Sequence, residues 1–245
     1  MPLSELKSIM ARLRDPETGC EWDQVQTFET IKPYTIEEAY EVADAIERDD
    51  MAALQDELGD LQLQVVYHAR IAEERGAFDL DDVIRGVSAK MIRRHPQIFG
   101  DDEQSPGWEA LKADERASHD DKSALAGVAL ALPALKRAEK VQRRAARVGF
   151  DWPDASGPRA KIDEELAEVE AANDDAERAA EIGDLLFSVV NYARHLGIDP
   201  EAALRASTQR FEGRFRKVEA MADKPLRDMD LEALESLWQQ AKKSR

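Results

Sequence analysis

An acidic pattern that occurs twice constrains what this chain can fold into more than any other feature of its sequence. The first copy contains Glu38, Glu41, Glu57 and Asp60. The second copy contains Glu165, Glu168, Glu181 and Asp184. In each copy the acidic residues form two pairs with Glu-x-x-Glu or Glu-x-x-Asp spacing, which places both members of a pair on one helix face. The sequence therefore predicts one helix–turn–helix unit twice, in two homologous halves.

The predicted fold class is all-α, with each half a small helical bundle. Only 6% of the 245 residues are aromatic, and 12 Gly and 10 Pro leave few helix breakers. A chain of this length is long enough for two domains. We predict a first domain over residues 1–115, a linker over residues 116–129 and a second domain over residues 130–245.

Capping residues predict where the acidic helices begin and end. Thr35 has the side chain of an N-cap, so the first acidic helix is predicted to begin near Thr35 and to end near Glu47. In the second copy, helices are predicted over about 158–172 and 175–196. The turn between them is short, which makes the two helices antiparallel neighbours and lets their acidic pairs converge.

Four converging carboxylates repel one another beside an apolar helix interior, and a bound cation removes that repulsion. Because every ligand is an oxygen atom, we expect Mg²⁺, with Mn²⁺ as an alternative. Such ions suit a phosphoryl displacement. A di-iron bundle needs Glu-x-x-His, and none of the four His follows a glutamate at that spacing.

A glycine lies inside each Glu-x-x-Asp pair, at Gly59 and Gly183. Glycine costs a helix interior about 1 kcal/mol relative to alanine. Close approach of a ligand would explain why a glycine stands at each position, and so would helix–helix packing. Both explanations stay open at this point.

The net charge of −17 argues against nucleic-acid binding, because the phosphate backbone would be repelled. A single cysteine, Cys20, excludes an intrachain disulfide and a cysteine-rich zinc site. The sequence carries neither an apolar signal core nor a stretch long enough for a membrane span. We therefore expect a cytoplasmic protein that does not bind membranes or nucleic acids.

The acidic pattern and several other motifs resemble the MazG family of nucleoside triphosphate pyrophosphohydrolases. The other matching stretches are Cys20–Asp23, Arg93–Pro96, Val148–Trp152, Arg210–Phe215 and Leu237–Trp238. The resemblance spans nearly the whole chain. It implies an all-α fold, a homodimer, dependence on Mg²⁺ and broad use of NTPs and dNTPs. The implied products are the nucleoside monophosphate and pyrophosphate.

The resemblance also implies roles for individual residues. The metal ligands would be Glu165, Glu168, Glu181 and Asp184. One of these carboxylates, or the neighbouring Glu164, would orient or deprotonate the attacking water. The candidates for substrate contacts are Lys161, Asn191, Arg194, Arg210, Arg214 and Trp238. The basic residues would neutralise the triphosphate, and Trp238 would stack on a base.

The two copies differ at positions that bear on activity. Lys161 corresponds to Tyr34 in the first copy, and Asn191 corresponds to Tyr67. We therefore favour the C-terminal half as the catalytic one. The site at Glu38, Glu41, Glu57 and Asp60 is a second candidate metal site in a half that is structural, regulatory or weakly active.

One alternative belongs to a different class of function. A non-enzymatic helical module for protein interaction would suit the repeat and the acidic surface, but not convergent carboxylates without a ligand. Within the enzyme class, the sequence leaves the substrate open between damaged or noncanonical nucleotides, ordinary NTPs and guanosine alarmones, all of which share the phosphate groups.

Overall fold

The computed structural model describes residues 2–100 and 121–243. In these ranges the α-helices are α1 (Pro2–Leu13), α2 (Glu21–Gln24), α3 (Phe28–Glu47), α4 (Met51–Glu74), α5 (Leu80–Arg94), α6 (Pro96–Phe99), α7 (Ala134–Arg147), α8 (Ser156–Ala171), α9 (Asp175–His195), α10 (Pro200–Met221) and α11 (Leu231–Lys243). A short 3₁₀ helix covers Leu226–Asp228. The described ranges contain no β-strand, which confirms the all-α prediction.

The chain divides into two compact units, residues 1–112 and 113–245. Residues 116–120 of the predicted linker lie outside the described ranges, whereas residues 121–129 are described. The boundaries of the predicted domains and of this linker remain predictions. Over the described residues, the helices are too polar or too short to cross a membrane.

In the first unit, α3 and α4 pack along each other and carry the first acidic pattern. Asp50 caps α4 by accepting a hydrogen bond from the backbone N–H of Ala53. Helix α1 packs against α4. The core between these helices consists of Met10, Ile31, Val66, Tyr67, Ala69, Ile71 and Leu80.

The predicted start of the first acidic helix near Thr35 is wrong. Helix α3 begins at Phe28, where Thr27 and Thr30 form a reciprocal capping box. Pro33 lies inside the helix, where it gives up one backbone hydrogen bond. The capping box and the buried side chain of Ile31 hold this additional N-terminal part of the helix in place.

The second unit repeats this arrangement. Helices α8 and α9 pack along each other, joined by a short turn, and Asp174 caps α9 through the backbone N–H of Glu177. Helix α7 packs against α9, as α1 packs against α4. Helices α10 and α11 pack on each other and extend the second unit. The second acidic pattern thus lies on a rigid helical pair.

Candidate active site

Three carboxylates converge in the second unit. Glu165 and Glu168 on α8 and Glu181 on α9 each offer an oxygen atom, and these atoms all lie within 4.8 Å of one another. Glu165 is only 4% exposed. Loss of hydration raises the pKa of Glu168, and the neighbouring Glu165 and Glu181 raise it further. An all-oxygen group with this surplus of negative charge fits a hard divalent cation.

Lys161 supplies positive charge to this cluster from one turn earlier on α8. Its ammonium lies 2.8 Å from Glu165 and 2.9 Å from Glu164. These two carboxylates raise the pKa of Lys161, so it stays charged. Asp184, the fourth predicted ligand, is exposed and lies outside the group of mutually close oxygen atoms.

The first unit holds a matching cluster of Glu38, Glu41 and Glu57, with oxygen atoms again within 4.8 Å of one another. Burial raises the pKa of Glu38, and the charges of Asp60 and Glu41 add to this effect. The amide nitrogen of Gln64 donates a hydrogen bond to Glu38 over 3.3 Å. Both halves therefore carry an acidic cluster that could hold a metal ion.

A cavity of about 580 Å³ opens in the second unit between α7 and α9. Its lining residues are Leu125, Val141, Gln142, Ala145, Gly149, Phe150, Asp151, Trp152, Phe187, Asn191 and Arg194. Most of this wall is apolar and aromatic. The predicted substrate residues Asn191 and Arg194 are among its few polar groups.

Arg194 is held by a network of hydrogen bonds. Its guanidinium forms a bidentate pair with the Asp151 carboxylate and also donates to Oδ1 of Asn191 over 2.7 Å. The Arg194 charge and hydrogen bonds lower the pKa of Asp151 to about 2. Arg194 therefore orients Asn191 in the cavity wall, with its own charge already paired.

The position of Asn191 is occupied by Tyr67 in the first unit, with a different result. Tyr67 is 4% exposed and belongs to the core. Its hydroxyl donates to Oδ1 of Asp23 over 2.8 Å, and the Arg14 guanidinium lies over its ring. In the first unit an aromatic ring fills this position, whereas in the second unit the same position lines an open cavity.

The remaining predicted substrate residues lie on α10 and α11. The Arg214 guanidinium lies 6.0 Å from the ring centre of Trp238, and the ring of Phe211 lies 5.3 Å from it. Arg210 is exposed on α10. Arg214 and Trp238 thus form a second candidate surface for substrate, distinct in chain position from the carboxylates on α8 and α9.

The glycines within the acidic pairs face open space. A Cβ atom built on Gly59 or on Gly183 would meet no other atom within 4 Å among the described residues. Helix–helix packing within a unit therefore does not explain either glycine.

Sequence reasoning missed several residues of the cavity. Phe150 and Trp152 belong to the stretch Val148–Trp152, which resembles the MazG family but carries no residue predicted to bind substrate. Gly157 lets the Trp152 ring lie against the first turn of α8, since a Cβ there would come within 2.5 Å of the ring. No sequence pattern pointed to Gln142, because its place in the cavity depends on how α7 packs against α9.

Comparison with known proteins identifies relatives of this chain. A sequence model of the MazG nucleotide pyrophosphohydrolase domain matches residues 26–99, and a model of phosphoribosyl-ATP pyrophosphohydrolase matches residues 134–211. A Thermotoga maritima protein named nucleoside triphosphate pyrophosphohydrolase/pyrophosphatase MazG is 48% identical over 97% of this chain and 94% of its own length. The chain belongs to the MazG family.

Two further MazG relatives carry similar names. The Escherichia coli K12 nucleoside triphosphate pyrophosphohydrolase is 47% identical over 98% of this chain and 97% of its own length. A Mycobacterium tuberculosis protein of the same name is 35% identical over 76% of this chain and 55% of its own length. MazG membership confirms the prediction of a pyrophosphohydrolase enzyme and disfavours the non-enzymatic interaction module.

Proposed function

We propose that this chain hydrolyses nucleoside triphosphates and deoxynucleoside triphosphates to the monophosphate and pyrophosphate, at the acidic cluster of the second unit. The observation that carries the proposal is the convergence of Glu165, Glu168 and Glu181, in the unit that also has an open cavity. The printed names of the relatives support a triphosphate substrate. Clearance of excess or noncanonical nucleotides is the role that such an activity would serve.

The proposed cofactor is Mg²⁺, and Mn²⁺ suits the same donors. Glu165, Glu168 and Glu181 would hold the ion through carboxylate oxygens, with Asp184 completing the set from the same helix as Glu181. When bound, the ion supplies positive charge that neutralises the phosphate oxygens next to the bond that breaks. Hard oxygen donors and the raised pKa of Glu168 both support a divalent cation here.

The chain's own residues would position water and phosphate around this cluster. Glu164, or a cluster carboxylate not bound to the ion, would accept a proton from the attacking water. Lys161 is within reach of the phosphates, since its ammonium already lies against Glu164 and Glu165. Arg210 and Arg214 would neutralise further phosphate charge, and Trp238 would stack on a base. Asn191 and Arg194 would form part of the nucleoside site.

The second unit is proposed as the catalytic one. Both units have an acidic cluster, so metal binding alone does not separate them. The second has Lys161 beside its cluster, whereas Tyr34 stands at the matching position and packs edge-on against Trp22. It also has the cavity that Asn191 lines, where the first unit has the buried ring of Tyr67.

The working form is proposed to be a homodimer in the cytoplasm. Large apolar side chains are exposed on α8, α9 and α10, namely Leu166, Ile182, Leu186, Val189, Leu204, Phe211 and Phe215. Ile182, Leu186 and Val189 lie at helical spacing on one face of α9, and an exposed apolar face of this kind is typical of a protein–protein interface. Light scattering that gives the mass of two chains, rather than the 27.5 kDa of one, would support the dimer.

The test of the catalytic assignment compares equivalent residues of the two clusters. Product analysis with Mg²⁺ and ATP is expected to give AMP and pyrophosphate; ADP and phosphate would mean attack at a different phosphorus. Glu168→Ala is expected to abolish pyrophosphate release, whereas Glu41→Ala should leave most of it. Equal losses in the two variants would disprove the assignment to the second unit.

A further inference from the structure

The two acidic clusters differ in the charge that lies beside them. In the second unit, the ammonium of Lys161 lies 2.8 Å from a carboxylate oxygen of Glu165 and balances part of the negative charge of the cluster. In the first unit, no Lys, Arg or His of the described ranges forms an ion pair with a glutamate of the cluster. The position that matches Lys161 is Tyr34, a residue type without a positive charge. The first cluster therefore keeps its whole negative charge.

A neutral amide holds the first cluster in place of a lysine. Gln64 is only 7% exposed, and its Nε2 donates a hydrogen bond to Oε1 of Glu38 over 3.3 Å. Because an ionised carboxylate only accepts hydrogen bonds, this contact fixes which end of the amide faces Glu38. The Oε1 atom of Gln64 is left buried, with no hydrogen-bond partner among the described residues. Gln64 therefore positions Glu38 and leaves its charge uncompensated.

Negative charges surround the first cluster. Burial raises the pKa of Glu57, and three neighbouring carboxylates, led by Glu41, raise it further. In the second cluster, the positive charge of Lys161 acts in the opposite direction on the pKa of Glu168. Close carboxylates without a counterion attract a divalent cation more strongly than carboxylates whose counterion the cation must displace.

From these differences we propose that the first cluster holds a divalent cation in the absence of nucleotide, and that it binds this ion more tightly than the second cluster does. Glu38 and Glu41 lie on α3, and Glu57 lies on α4, so the ion joins these two helices. Its role is structural. The inference goes beyond the proposed function, which places the catalytic ion in the second unit.

The probe for this site is Mn²⁺, which suits the same oxygen donors as Mg²⁺. The full chain is titrated without nucleotide, and electron paramagnetic resonance measures the unbound ion. We expect one ion to bind about tenfold more tightly than the next. Glu41→Gln should abolish the tight site, whereas its counterpart Glu168→Gln should leave that site unchanged. Two sites of equal affinity, or a tight site that is lost in Glu168→Gln, would overturn the proposal.

Substitutions at the matching position test whether the lysine is the cause. Tyr34 is 42% exposed, so the fold has room for another side chain there. Tyr34→Lys places an ammonium beside the first cluster and should weaken the tight site about tenfold. Tyr34→Met is the control, which removes the ring without adding charge and should bind Mn²⁺ as the wild type does. Equal affinity in Tyr34→Lys and Tyr34→Met would overturn the proposed cause.

Lys161→Met makes the reciprocal change in the second unit. Without the ammonium, the second cluster should bind Mn²⁺ about tenfold more tightly than in the wild type. An unchanged affinity of the weaker site would contradict the competition between Lys161 and the ion for Glu165.

The outcomes separate this inference from the proposed function, because the titration contains no nucleotide. Failure of the wild type to convert ATP to AMP and pyrophosphate would reject the proposed function and leave the tight Mn²⁺ site unaffected. Should Glu41→Gln not fold, the comparison of the wild type with Glu168→Gln still decides, since the tight site must survive the loss of Glu168.

Discussion

Tyr67 and Asn191 hold the same position in the two repeats, yet Tyr67 fills the core of its unit and Asn191 lines an open cavity in the other. The acidic clusters of the two units are alike in composition and spacing. At this position the units therefore differ in the space around the side chain, which a ring fills in the first unit and an amide lines in the second.

Filling the cavity should slow nucleotide hydrolysis while leaving the metal ligands in place. Asn191→Tyr places a ring among Phe187, Gln142 and Trp152, where the nucleoside is proposed to bind. We expect kcat/KM for ATP to fall by about a hundredfold, equivalent to about 2.7 kcal/mol of lost transition-state binding. Steady-state pyrophosphate release measures this loss, and tripolyphosphate binding should be unchanged. Wild-type kinetics in this variant would show that the cavity plays no part in substrate binding.

The reverse change in the first unit should affect stability rather than activity. Tyr67→Asn removes a buried ring and its hydrogen bond to Asp23. We expect a loss of about 3–5 kcal/mol in the free energy of unfolding, the usual cost of emptying a core position of an aromatic ring. Urea denaturation followed by circular dichroism tests this value. A loss below about 1 kcal/mol in the free energy of unfolding would mean that the ring is not part of the core.

Alanine at Gly183 should stabilise the fold. Its methyl group would enter open space without meeting another described residue. The helix should gain about 1 kcal/mol, because alanine loses less backbone entropy than glycine inside a helix. Gly59→Ala in the first unit is the matched variant and should give the same gain. Thermal melting measures both effects, and a melting temperature below that of the wild type in either variant would contradict this account.

Acid should weaken the second unit through Asp151. Its pKa of about 2 in the folded state lies below the ordinary value, because the Arg194 guanidinium stabilises the carboxylate. The contribution is therefore fully present above pH 4 and is lost as the pH falls toward 2. Since the pair is partly exposed, we expect about 1 kcal/mol. Asp151→Asn should lack this part of the acid-induced loss in urea melts from pH 5 to pH 2, and identical pH profiles would refute it.

Removal of divalent cations should lower the stability of the wild type. A cation bound to the folded chain stabilises it by mass action, by about 1.4 kcal/mol when its concentration is tenfold above the Kd. Calorimetric melting with Mg²⁺ or with EDTA measures the shift. Glu168→Gln should remove the part of the shift that arises from the second unit, and an unchanged shift in this variant would exclude Glu168 as a ligand.

Local sequence signals were sufficient for the acidic helices and insufficient for the cavity. The spacing of Glu165, Glu168 and Glu181 and the cap at Asp174 depend on neighbours within a few residues, so the pattern predicted how these groups converge. The predicted start of α3 near Thr35 is wrong because a residue with a good N-cap side chain also occurs inside helices. The capping box at Thr27 sets the start of this helix.

The cavity depends on residues that are distant in sequence. Leu125, Gln142, Phe150 and Asn191 come together only through the packing of α7 against α9. The amide oxygen of Gln142 is buried without a hydrogen-bond partner among the described residues, and this too is a property of the packed state. A helical pattern tells which face of α7 is buried, but it does not tell which buried groups lack a partner.

The contact of Lys161 with Glu164 and Glu165 has a consequence for the order in which ligands arrive. Without a divalent ion, the ammonium of Lys161 is the counterion of both carboxylates on its own helix. If Glu165 held an ion, only Glu164 would remain to pair with the ammonium, which would then be available to a phosphate. We expect an ordered sequence, in which the nucleotide gains its lysine contact only after Glu165 has given up its own.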